Sequence, residues 1–421
     1  MELILLFVLV VALIAAGVWI GLALAGASVI ALSLFLDVNV TAALAFSAWS
    51  GLAAAELAPL PLFVLMGEIL LRGGVAQGLF RSLGPLMARL PGGLVQVNIL
   101  GCTLLAAASG SSAATTATIG RITVKELAAR RYDRSLAMGS LCGAGTLGFL
   151  IPPSIILILY GVLAEVSILD LFLAGIVPGL LLALLFMVYV AIAGGRGHAD
   201  PQQPLGWQAT LAALGPVIVL ILTVLGSLYA GLATPTESAV IGVAGALLVA
   251  RWQGRLGRDG LLEAFAAAVR TSAMIGLVLL GALFLSRTAV YLDLPGQVAA
   301  LVAPLADQPI ALILLLMLVY ALLGMILDGL SLVVMTLPVA GPLVAAAGFD
   351  PLWFGIFLVI VVEMGQITPP LGFNLFIVQA LTGERLSRIA WASLPFFIIL
   401  SGFALILALV PGLALWLPGR L

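Results

Sequence analysis

Long apolar stretches recur along the whole chain and alternate with short polar, glycine-rich or proline-rich interruptions. Many of them approach the ~20 residues that an α-helix needs to cross the ~30 Å hydrocarbon core of a bilayer. Nothing between them is long or polar enough to form a soluble domain. The pattern therefore predicts an all-α polytopic membrane protein with roughly ten or eleven spans.

Two of the apolar stretches carry the same interruption. The segment GFLIPP at 148–153 recurs 217 residues later as GQITPP at 365–370. Proline removes a backbone donor and breaks the helical ladder, and such a break survives in a membrane only where it is buried in protein or lines a polar cavity. Matching interruptions in two halves of a chain are typical of the binding site of a secondary transporter.

The N-terminal region predicts membrane anchors rather than a removable leader. Only Glu2 is charged in the first 36 residues, and no small-residue cleavage site follows. The apolar run 3–36 is too long for one untilted span, and Gly17, Gly21 or Gly26 could divide it. Residues 75–91 mix apolar and basic positions, which favours a helix lying at the membrane interface over a plain loop.

Composition excludes several functions. The chain of 421 residues is 63% hydrophobic and 8% charged, with a net charge of −1, so no nucleic-acid partner is expected. Its one lysine, Lys125, does not belong to a Gly-x-x-x-x-Gly-Lys loop, which disfavours an ATP-driven pump. Cys102 and Cys142 lie in apolar segments and are interpreted as buried small hydrophobic residues. The single His198 lies in a polar linker away from any other candidate ligand, so no cofactor is expected.

The charged residues separate into basic and acidic connections. Under the positive-inside rule the basic connections face the cytoplasm and the acidic ones face outward. The basic groups are Arg81 and Arg89; Arg121, Lys125, Arg130, Arg131 and Arg134; Arg196; Arg251, Arg255, Arg258 and Arg270; and Arg385 and Arg388. The acidic connections carry Asp37, Glu165, Asp170, Asp293, Asp307 and Asp350.

This assignment predicts a re-entrant hairpin in the first half. Residues 94–120 are apolar and about one span long, yet basic residues flank them on both sides. A single crossing would put one flank outside, and two full crossings need ~40 residues. A hairpin that enters from the cytoplasm satisfies both constraints. Its tip would be Ser109-Gly110-Ser111-Ser112, a run of small and polar residues that suits a tight turn.

The second half predicts the same arrangement with the opposite orientation. Residues 308–349 lie between acidic flanks and contain a break at Asp328-Gly329. The 217-residue offset of the Pro-Pro motifs also carries the first tip onto residues 326–329. Flanks of opposite charge predict an inverted repeat with two hairpins and two broken helices, although two full spans would also fit 308–349.

Oxygen donors concentrate at the tips and at the broken helices, where few fixed charges occur. Hydroxyl groups, together with carbonyl groups freed by helix breaks, suit a small hard cation, and the N-termini of broken helices present N–H groups to an anion. The pattern predicts sodium sites paired by the repeat. The donors are Ser109, Ser111, Ser112, Thr115, Thr116 and Thr118; Thr146 and Ser154; Asp328, Ser331 and Thr336; and Glu363, Thr368 and Asn374.

Each of these assignments has a structural alternative. Serine and threonine hydroxyls in membrane helices also bond their own backbone or a neighbouring helix. An intramembrane carboxylate is costly and is a functional candidate by default, which singles out Asp328 and Glu363, with structural hydrogen bonding as the alternative for Glu363. The segment TPTES at 234–238 is a third polar break, where Thr236 or Glu237 could cap a helix or Glu237 could line a site.

Six segments together resemble a known family. They are PLPLFVLMGEILLRGG (59–74), PGGLVQVN (91–98), SGSSAATTATIG (109–120), IPPSIILILYGVLAEVSILDLFLAGIVPG (151–179), ATPTESA (233–239) and EMGQITPPLGFNLF (363–376). They resemble the large membrane (M) subunit of the tripartite ATP-independent periplasmic (TRAP) transporters, in the ion transporter superfamily, over essentially the whole chain. The resemblance implies a sodium-coupled elevator, in which a transport domain of two hairpins and two broken helices slides against a scaffold.

The family also implies partners and a location. A small membrane (Q) subunit, expected here as a separate polypeptide, and a periplasmic solute-binding protein would work with this chain. The binding protein would deliver an organic anion such as a C4-dicarboxylate or sialic acid. The implied location is the bacterial inner membrane, where the chain spans the lipid bilayer many times.

Carried over to this sequence, the resemblance implies two sodium sites, each formed by a tip and its facing break. Many relatives have an acidic residue shortly after the first tip, where this chain reads Ala114-Thr115-Thr116. The implied sodium ligands are Ser109, Gly110, Ser112, Gly145 and Thr146 in the first site and Gly324, Asp328, Gly329, Gly365 and Thr368 in the second. The residues expected to line the substrate path are Ser111, Pro152, Pro153, Thr236, Glu237, Glu363, Pro369, Pro370 and Asn374.

The resemblance also divides the chain. Residues 1–93 would form N-terminal scaffold helices and the interfacial helix, and 94–170 would form the first-half transport elements, with the hairpin 94–120 and the broken helix 135–165. Residues 171–307 would form the linker and the second-half scaffold. Residues 308–388 would form the second hairpin, 308–349, and broken helix, 351–383, and 389–421 a C-terminal helix.

Other functions remain as alternatives. A stand-alone sodium–carboxylate symporter of similar inverted-repeat design would transport without the two partners. A passive channel would give flux without sodium dependence and would leave the paired hairpins without a purpose. A serine protease at the first tip would need a base within hydrogen-bond reach. Because His198 and Lys125 lie elsewhere, no enzyme activity is expected.

Overall fold

The structure is a computed structural model. It describes residues 2–36, 38–195, 207–253, 256–294, 296–297, 308–325, 327–370 and 372–420. All regular elements in these ranges are helices, which confirms the all-α prediction. The middle of the polar linker, with Arg196 and His198, lies outside these ranges, as do Asp37, Arg255, Asp307 and residue 326 of the predicted second tip.

The helices are numbered in chain order. The first half contains α1 (Glu2–Ala15), α2 (Ile20–Phe35), α3 (Val40–Leu52), α4 (Pro59–Arg72), α5 (Val75–Met87), α6 (Gln96–Ser109), α7 (Ser112–Ala129), α8 (Arg134–Leu150), α9 (Ile155–Ala164) and α10 (Ile168–Ala193). The second half contains α11 (Trp207–Tyr229), α12 (Pro235–Trp252), α13 (Arg258–Tyr291), α14 (Pro309–Gly324), α15 (Gly329–Ala346), α16 (Pro351–Gln366), α17 (Phe373–Thr382), α18 (Leu386–Leu409) and α19 (Gly412–Leu415).

Several helices begin at a side chain that accepts a hydrogen bond from the first turn. Asp133 caps α8, Ser154 caps α9, Ser167 caps α10 and Asp350 caps α16. The first four N–H groups of a helix have no partner within it, and a cap satisfies one or two of them. Capped starts of this kind let the chain interrupt a helix inside a membrane without leaving every freed donor unpaired.

The two halves share one spacing of helix boundaries. Helices α7 and α15 begin at Ser112 and Gly329 and end at Ala129 and Ala346, so both ends are 217 residues apart. The starts of α8 and α16 have the same separation. One pair differs, because α3 and α4 meet at a bend of 54°, whereas the corresponding α13 is one continuous helix of 34 residues.

Packing between the halves is reciprocal. Helix α7 packs on α17, and α15, the counterpart of α7, packs on α9, the counterpart of α17. In the same way α4 packs on α12, and α2 packs on α13. When two similar units are related by a two-fold axis, each contact between a helix of one unit and a helix of the other is repeated between their counterparts. The two repeats are therefore interleaved, and neither half packs as a separate body.

The first segments of the two broken helices form the centre of the molecule. All residues of α8 from Met138 to Leu150 are buried, and so are all residues of α16 from Trp353 to Gln366. A helix that is buried all round lies inside a large protein rather than on its surface. Cys102 and Cys142 are free and buried in this core, as the sequence predicts.

Some helices are long enough to cross a bilayer, which takes ~20 residues, and others are shorter. Within the described ranges, four single helices are long and apolar enough to span a membrane, α10, α13, α15 and α18, and the bent pairs α3–α4 and α8–α9 bring the number to six. Other apolar helices are shorter, because glycine or Pro-Pro interruptions divide the runs. Gly17, at φ 81°, separates α1 from α2. Helix α7 continues past the predicted end at 120 to Ala129, with Thr123 and Leu127 buried.

Candidate ion and substrate site

The first tip is a turn between α6 and α7. Gly110 has φ 59°, a left-handed conformation that glycine adopts without steric cost, and it reverses the chain. Ser109 Oγ lies 2.9 Å from Thr115 Oγ1. Ser111 Oγ accepts a 3.4 Å hydrogen bond from the N–H of Ala114 and so caps α7. Bonds within the turn therefore fix the positions of the tip hydroxyls.

The first tip lies against α8 with no space between the backbones. A Cβ atom on Gly148 would lie 2.7 Å from the backbone of Ser112. At Gly145 the hydroxyl of Thr116 occupies the space that a side chain would need. The glycine of the first Gly-x-x-x-Pro-Pro motif is thus required for the tip to reach the helix that precedes the break.

Asn374, at the start of α17, reaches across to the same tip. Its Nδ2 lies 2.9 Å from Ser112 Oγ, and its Oδ1 lies 3.4 Å from Thr116 Oγ1. Thr116 Oγ1 also donates a 2.9 Å hydrogen bond to the carbonyl oxygen of Ser112. All three side chains are buried. The first tip is therefore bonded to the second break as well as packed on the first.

The second tip lies between α14 and α15. A Cβ atom on Gly324 would lie 2.7 Å from the Cα of Gly365, so the end of α14 touches the backbone of the second motif. Asp328 caps α15: its Oδ2 accepts a 3.2 Å hydrogen bond from the N–H of Ser331, and its Oδ1 accepts one from the Ser331 hydroxyl. Gln366 donates a 3.4 Å hydrogen bond to the carbonyl oxygen of Leu327.

The second tip also contacts the first half. A Cβ atom on Gly329 would lie 2.7 Å from the ring of Phe149 and 3.0 Å from Val362. Phe149 belongs to the first Pro-Pro motif and Val362 to α16. Each tip thus lies between its own break and an element of the other half, and glycines of α8 and α16 bring each break into contact with its tip.

Several predicted donors bond their own helix. Thr146 Oγ1 donates to the carbonyl oxygen of Gly143 at 2.7 Å, and Thr368 Oγ1 donates to that of Met364 at 2.6 Å. Ser154 donates to the carbonyl oxygen of Phe149 and caps α9. These are the structural alternatives weighed from the sequence, and a hydroxyl oxygen that donates to a carbonyl group keeps lone pairs for a cation.

The two Pro-Pro breaks differ in exposure. Pro152 and Pro153 are buried, whereas Pro369 and Pro370 are exposed. Both Pro-Pro peptide bonds are cis. The exposed face continues into α17, where Phe373 is 47% exposed. The second break is therefore accessible from outside the protein and the first is not.

The third polar break is a helix cap. Thr234 caps α12 by accepting a 3.3 Å hydrogen bond from the N–H of Glu237, and Glu237 Oε2 accepts a 2.8 Å hydrogen bond from the N–H of Thr234. This is a capping box. The capping prediction is correct for Glu237, but Thr234 rather than Thr236 supplies the cap. These bonds stay within one turn, and among the described residues α12 packs mainly on α4 and α11.

Glu363 is buried in α16 with no exposed surface. Neither of its carboxyl oxygens has a hydrogen-bond partner of normal geometry among the described residues, although the backbone N–H of Phe149 faces the carboxyl group. A buried charge without a partner is strongly unfavourable. Glu363 thus lies near both breaks without lining an open surface.

Sequence reasoning missed one member of the second cluster and undervalued two of the first. Gln366 lies in the GQITPP segment, but nothing in the neighbouring sequence indicates that its amide donates to the carbonyl oxygen of Leu327. Thr115 and Thr116 were among the general donors, yet their contacts with Ser109 and Asn374 join them to the first tip. The packing of α7 on α17 identifies Thr116, and the turn between α6 and α7 brings Thr115 to Ser109.

A separate cavity of about 160 Å³ lies away from both tips, between α7, α8 and the end of α17. Its rim includes Arg134, which pairs with Glu384 at 3.2 Å, and Arg388 pairs with the same carboxylate at 3.1 Å. Arg134 and Arg388 belong to the basic connections, and Glu384 pairs with both.

The helical architecture, with hairpin tips against interrupted helices, defines a polytopic membrane transporter. The family model of the tripartite ATP-independent periplasmic transporter DctM component matches residues 7–413. The chain therefore belongs to the DctM family of TRAP transporter large permeases. The members of this family are transporter permeases, so the chain is a membrane transporter component and not an enzyme.

Individual relatives agree with this assignment. The C4-dicarboxylate TRAP transporter large permease protein DctM of Pseudomonas aeruginosa is 33% identical over 87% of this chain and 86% of its own length. The sialic acid TRAP transporter large permease protein SiaM of Vibrio cholerae is 30% identical over 95% of this chain and 96% of its own. The YdaH transporter of Alcanivorax borkumensis has a similar fold, with a TM-score of 0.67 at 15% identity over 90% of each chain.

Proposed function

We propose that this chain carries out sodium-coupled uptake of an organic anion that a periplasmic binding protein delivers to it. The observation that carries the proposal is the seating of each hairpin tip against a broken helix, at positions 217 residues apart. Sodium coupling needs oxygen ligands at defined positions, and an anion needs uncompensated N–H groups or positive charge. Oxygen ligands and helix N-termini with N–H groups are both present at these breaks.

The first tip supports a sodium site by its chemistry. Ser112 lies against Gly148 near the end of α8, Thr116 lies against Gly145 one turn earlier, and Ser109 bonds Thr115 within the same tip. The last four carbonyl groups of a helix have no partner within it, so this end of α8 offers oxygen ligands. The C-terminus of a helix carries partial negative charge, which attracts a cation. In the second site the Asp328 carboxylate and the C-terminus of α16, from Gly365 onward, would supply the same groups.

The second break supports an anion site. Helix α17 begins at Phe373 with Gly372 as its N-cap, and no side chain caps its first turn. The N–H groups of Gly372 and Leu375 bond the carbonyl oxygens of Thr368 and Gly372. The other N–H groups of the first turn and its partial positive charge would attract a carboxylate or a related anionic group. The adjacent Pro369 and Pro370 are exposed, so a ligand has access. By contrast, Ser154 caps α9 at the buried first break.

The substrate class follows from the relatives. The matching permeases are named for C4-dicarboxylate and for sialic acid, which are carboxylates of different size. An organic acid is therefore the proposed cargo. A small membrane subunit and a periplasmic binding protein are the proposed partners, since the family is tripartite, and a periplasmic partner implies the bacterial inner membrane.

The proposed mechanism is an elevator. Helices α2 to α4 pack on α12 and α13, whereas the hairpins and broken helices pack mainly on one another. The first group would be the scaffold and the second the moving transport domain. Movement of the second group as a body would carry a substrate held at the tips from one side of the membrane to the other, with inverted repeats giving the two end states.

The test is uptake into proteoliposomes that contain this chain, with and without the small membrane protein and the binding protein. An imposed sodium gradient drives the assay, and labelled carboxylates are the substrates. Uptake that needs both partners and inward sodium supports the proposal. Uptake by the chain alone would instead indicate a stand-alone symporter, and flux that is independent of sodium would indicate a channel.

A further inference from the structure

We propose that Asn374 is the positioning residue that couples the first sodium site to the substrate site. This inference rests on the proposed sodium-coupled transport and deepens it. Asn374 is the second residue of α17 and follows the exposed break closely. Its side chain is fully buried. It therefore connects the proposed anion site with the interior of the protein.

The connection ends on the first tip. Asn374 Nδ2 lies 2.9 Å from the hydroxyl of Ser112, the residue with which α7 begins. Its Oδ1 lies within 3.4 Å of Thr116 Oγ1, one turn further along α7. Gly145 of α8 completes the contact, since a Cβ atom there would lie 3.5 Å from Asn374 Nδ2. One amide thus contacts two hydroxyls of the proposed first sodium site.

The segment that carries Asn374 has two different faces. Pro369, Pro370 and Phe373 are exposed, while Asn374 and Leu375 are buried. A ligand at the start of α17 acts on the exposed side, and a shift of this short helix moves the buried amide with it. Displacement of the amide would pull on Ser112 and change the spacing of the first tip. Sodium at the tip would act on the start of α17 by the same bonds, because binding coupling is reciprocal.

The internal repeat supplies a comparison within the chain. The 217-residue offset relates Asn374 to Leu157, Ser112 to Gly329 and Thr116 to Val333. Helix α9, with Leu157, packs on α15 as α17 packs on α7, and both Leu157 and Val333 are fully buried.

Apolar contact is therefore sufficient to hold a tip helix on the second segment of a broken helix. The polar bridge occurs at only one of the two related places, so packing alone does not account for it. A buried polar group is unfavourable unless it is hydrogen-bonded, which makes Asn374 sensitive to the position of the tip. The polar bridge therefore couples only the first tip to the start of α17. The second tip has an apolar contact in the corresponding place on α9.

The chain offers a matched control in Asn98. Asn98 is also fully buried, and its Nδ2 donates to Ser140 Oγ at 2.9 Å and to the carbonyl oxygen of Ala137 at 3.1 Å. It joins α6 to α8 by an amide–serine contact like that of Asn374. This contact lies far along α6 from the tip and does not reach either break, so it tests the effect of losing a buried amide by itself.

The experiment compares Asn374→Leu, Ser112→Ala and Asn98→Leu in the complete transport system. The half-saturating substrate concentration for uptake is measured at low and at high sodium, and sodium binding is measured separately by calorimetry. We expect sodium to change the substrate half-saturation of the wild type at least about fivefold, the lower range for allosteric coupling. Asn374→Leu should remove most of this dependence while sodium still binds, and Asn98→Leu should retain it.

The double variant Ser112→Ala/Asn374→Leu then shows whether the two residues act together. Ser112 is also a proposed sodium ligand, so Ser112→Ala is expected to be the more severe single variant. The double variant should lose no more sodium dependence than Ser112→Ala alone when both residues belong to one bridge. Wild-type sodium dependence in Asn374→Leu would overturn the inference, as would an equal loss in Asn98→Leu. Wild-type uptake that does not depend on sodium would overturn the proposed function as well as this inference. The wild-type measurement shows this before any variant is compared.

Discussion

Gly324 and Gly365 touch through their backbones. A Cβ atom on Gly365 would lie 2.6 Å from the Cα of Gly324, and one on Gly324 would lie 2.7 Å from the Cα of Gly365. Neither position can take a side chain without moving a helix, because the obstructing atoms belong to backbone. The end of α14 is in this way fixed against the second motif at the level of the second tip.

Gly365→Ala should therefore destabilise the protein and reduce uptake. Overpacking of a close contact costs about 1–3 kcal/mol, and here it also pushes the second tip away from α16. Thermal unfolding in detergent and uptake in proteoliposomes measure the two effects. Gly402→Ala is the control, since Gly402 lies within α18 with nothing near its Cβ position, and alanine favours a helix interior by about 0.5–1 kcal/mol. Equal thermal stability of Gly365→Ala and wild type would contradict the contact.

Asp328→Asn should weaken the sodium dependence of uptake without unfolding the second tip. Asparagine caps helices about as well as aspartate, so the change removes charge and leaves the bond from the Ser331 N–H. A hydrogen bond or contact to a charged group is worth about 1.5–3 kcal/mol, which corresponds to a roughly tenfold or greater rise in half-saturating sodium. Uptake measured over a sodium titration gives this value.

Asp350→Asn provides the control for Asp328→Asn. Asp350 also caps a helix, α16, by accepting from the N–H groups of Leu352 and Trp353 at 2.7 and 3.2 Å. It lies at the opposite end of that helix from the break, so its substitution should leave half-saturating sodium unchanged. If Asp328→Asn also leaves it unchanged, Asp328 is a helix cap and not a sodium ligand.

Pro369→Ala should damage transport by allowing helix to extend into the second break. Proline lacks an N–H donor and clashes with the preceding turn, and alanine is the best helix former. Continuation of α16 would use carbonyl groups that the proposed sodium site needs free. Pro395→Ala, inside the continuous helix α18, is the matched change, and it should preserve uptake. Wild-type uptake rates for Pro369→Ala would refute the role of the break.

Glu363→Gln should preserve folding and sodium-driven uptake. The carboxyl group is buried and has no hydrogen-bond partner among the described residues, and glutamine has the same shape without the charge. Glu363→Lys should abolish folded protein, because a buried, unpaired ammonium group costs several kcal/mol. Size-exclusion profiles and uptake rates distinguish these results. Loss of uptake in Glu363→Gln with an intact profile would show that this carboxylate acts as a charged group in transport.

The sequence predicted the positions of the breaks and the tips well because their causes are local. The Pro-Pro pairs at 152–153 and 369–370 disfavour a continuous helix locally, more strongly than a single proline such as Pro395, which lies inside α18. Gly110 suits a reversed turn in the same local way. The charge of the flanks and the 217-residue offset needed no coordinates. Glu68 and Arg72, one helical turn apart, lie 3.4 Å apart as their spacing allows, but the shorter 2.6 Å pair of Arg72 with Glu263 depends on how the chain folds.

Contacts between distant parts of the chain could not be predicted from the sequence, because they depend on how the helices pack. Arg287, without an obvious partner in the sequence, donates to Ser50 at 3.1 Å and lies 4.2 Å from the centre of the Phe46 ring. The different exposure of the two Pro-Pro breaks depends on how the halves pack, and related motifs give no sign of it. The resemblance places Asn374 on the substrate path, and the sequence gives no sign that its amide also bonds the first tip.

The bond between Ser112 and Asn374 joins residues that are 262 positions apart. When the ribosome has delivered the first hairpin to the membrane, the amide that completes it has not yet been translated. The Ser112 hydroxyl lacks this partner during early insertion, so the bond from the first tip to α17 forms only after α17 is in place. Assembly of this site is therefore a late event in biogenesis, and a chain that is truncated before α17 would retain its first hairpin in an immature state exposed to membrane quality control.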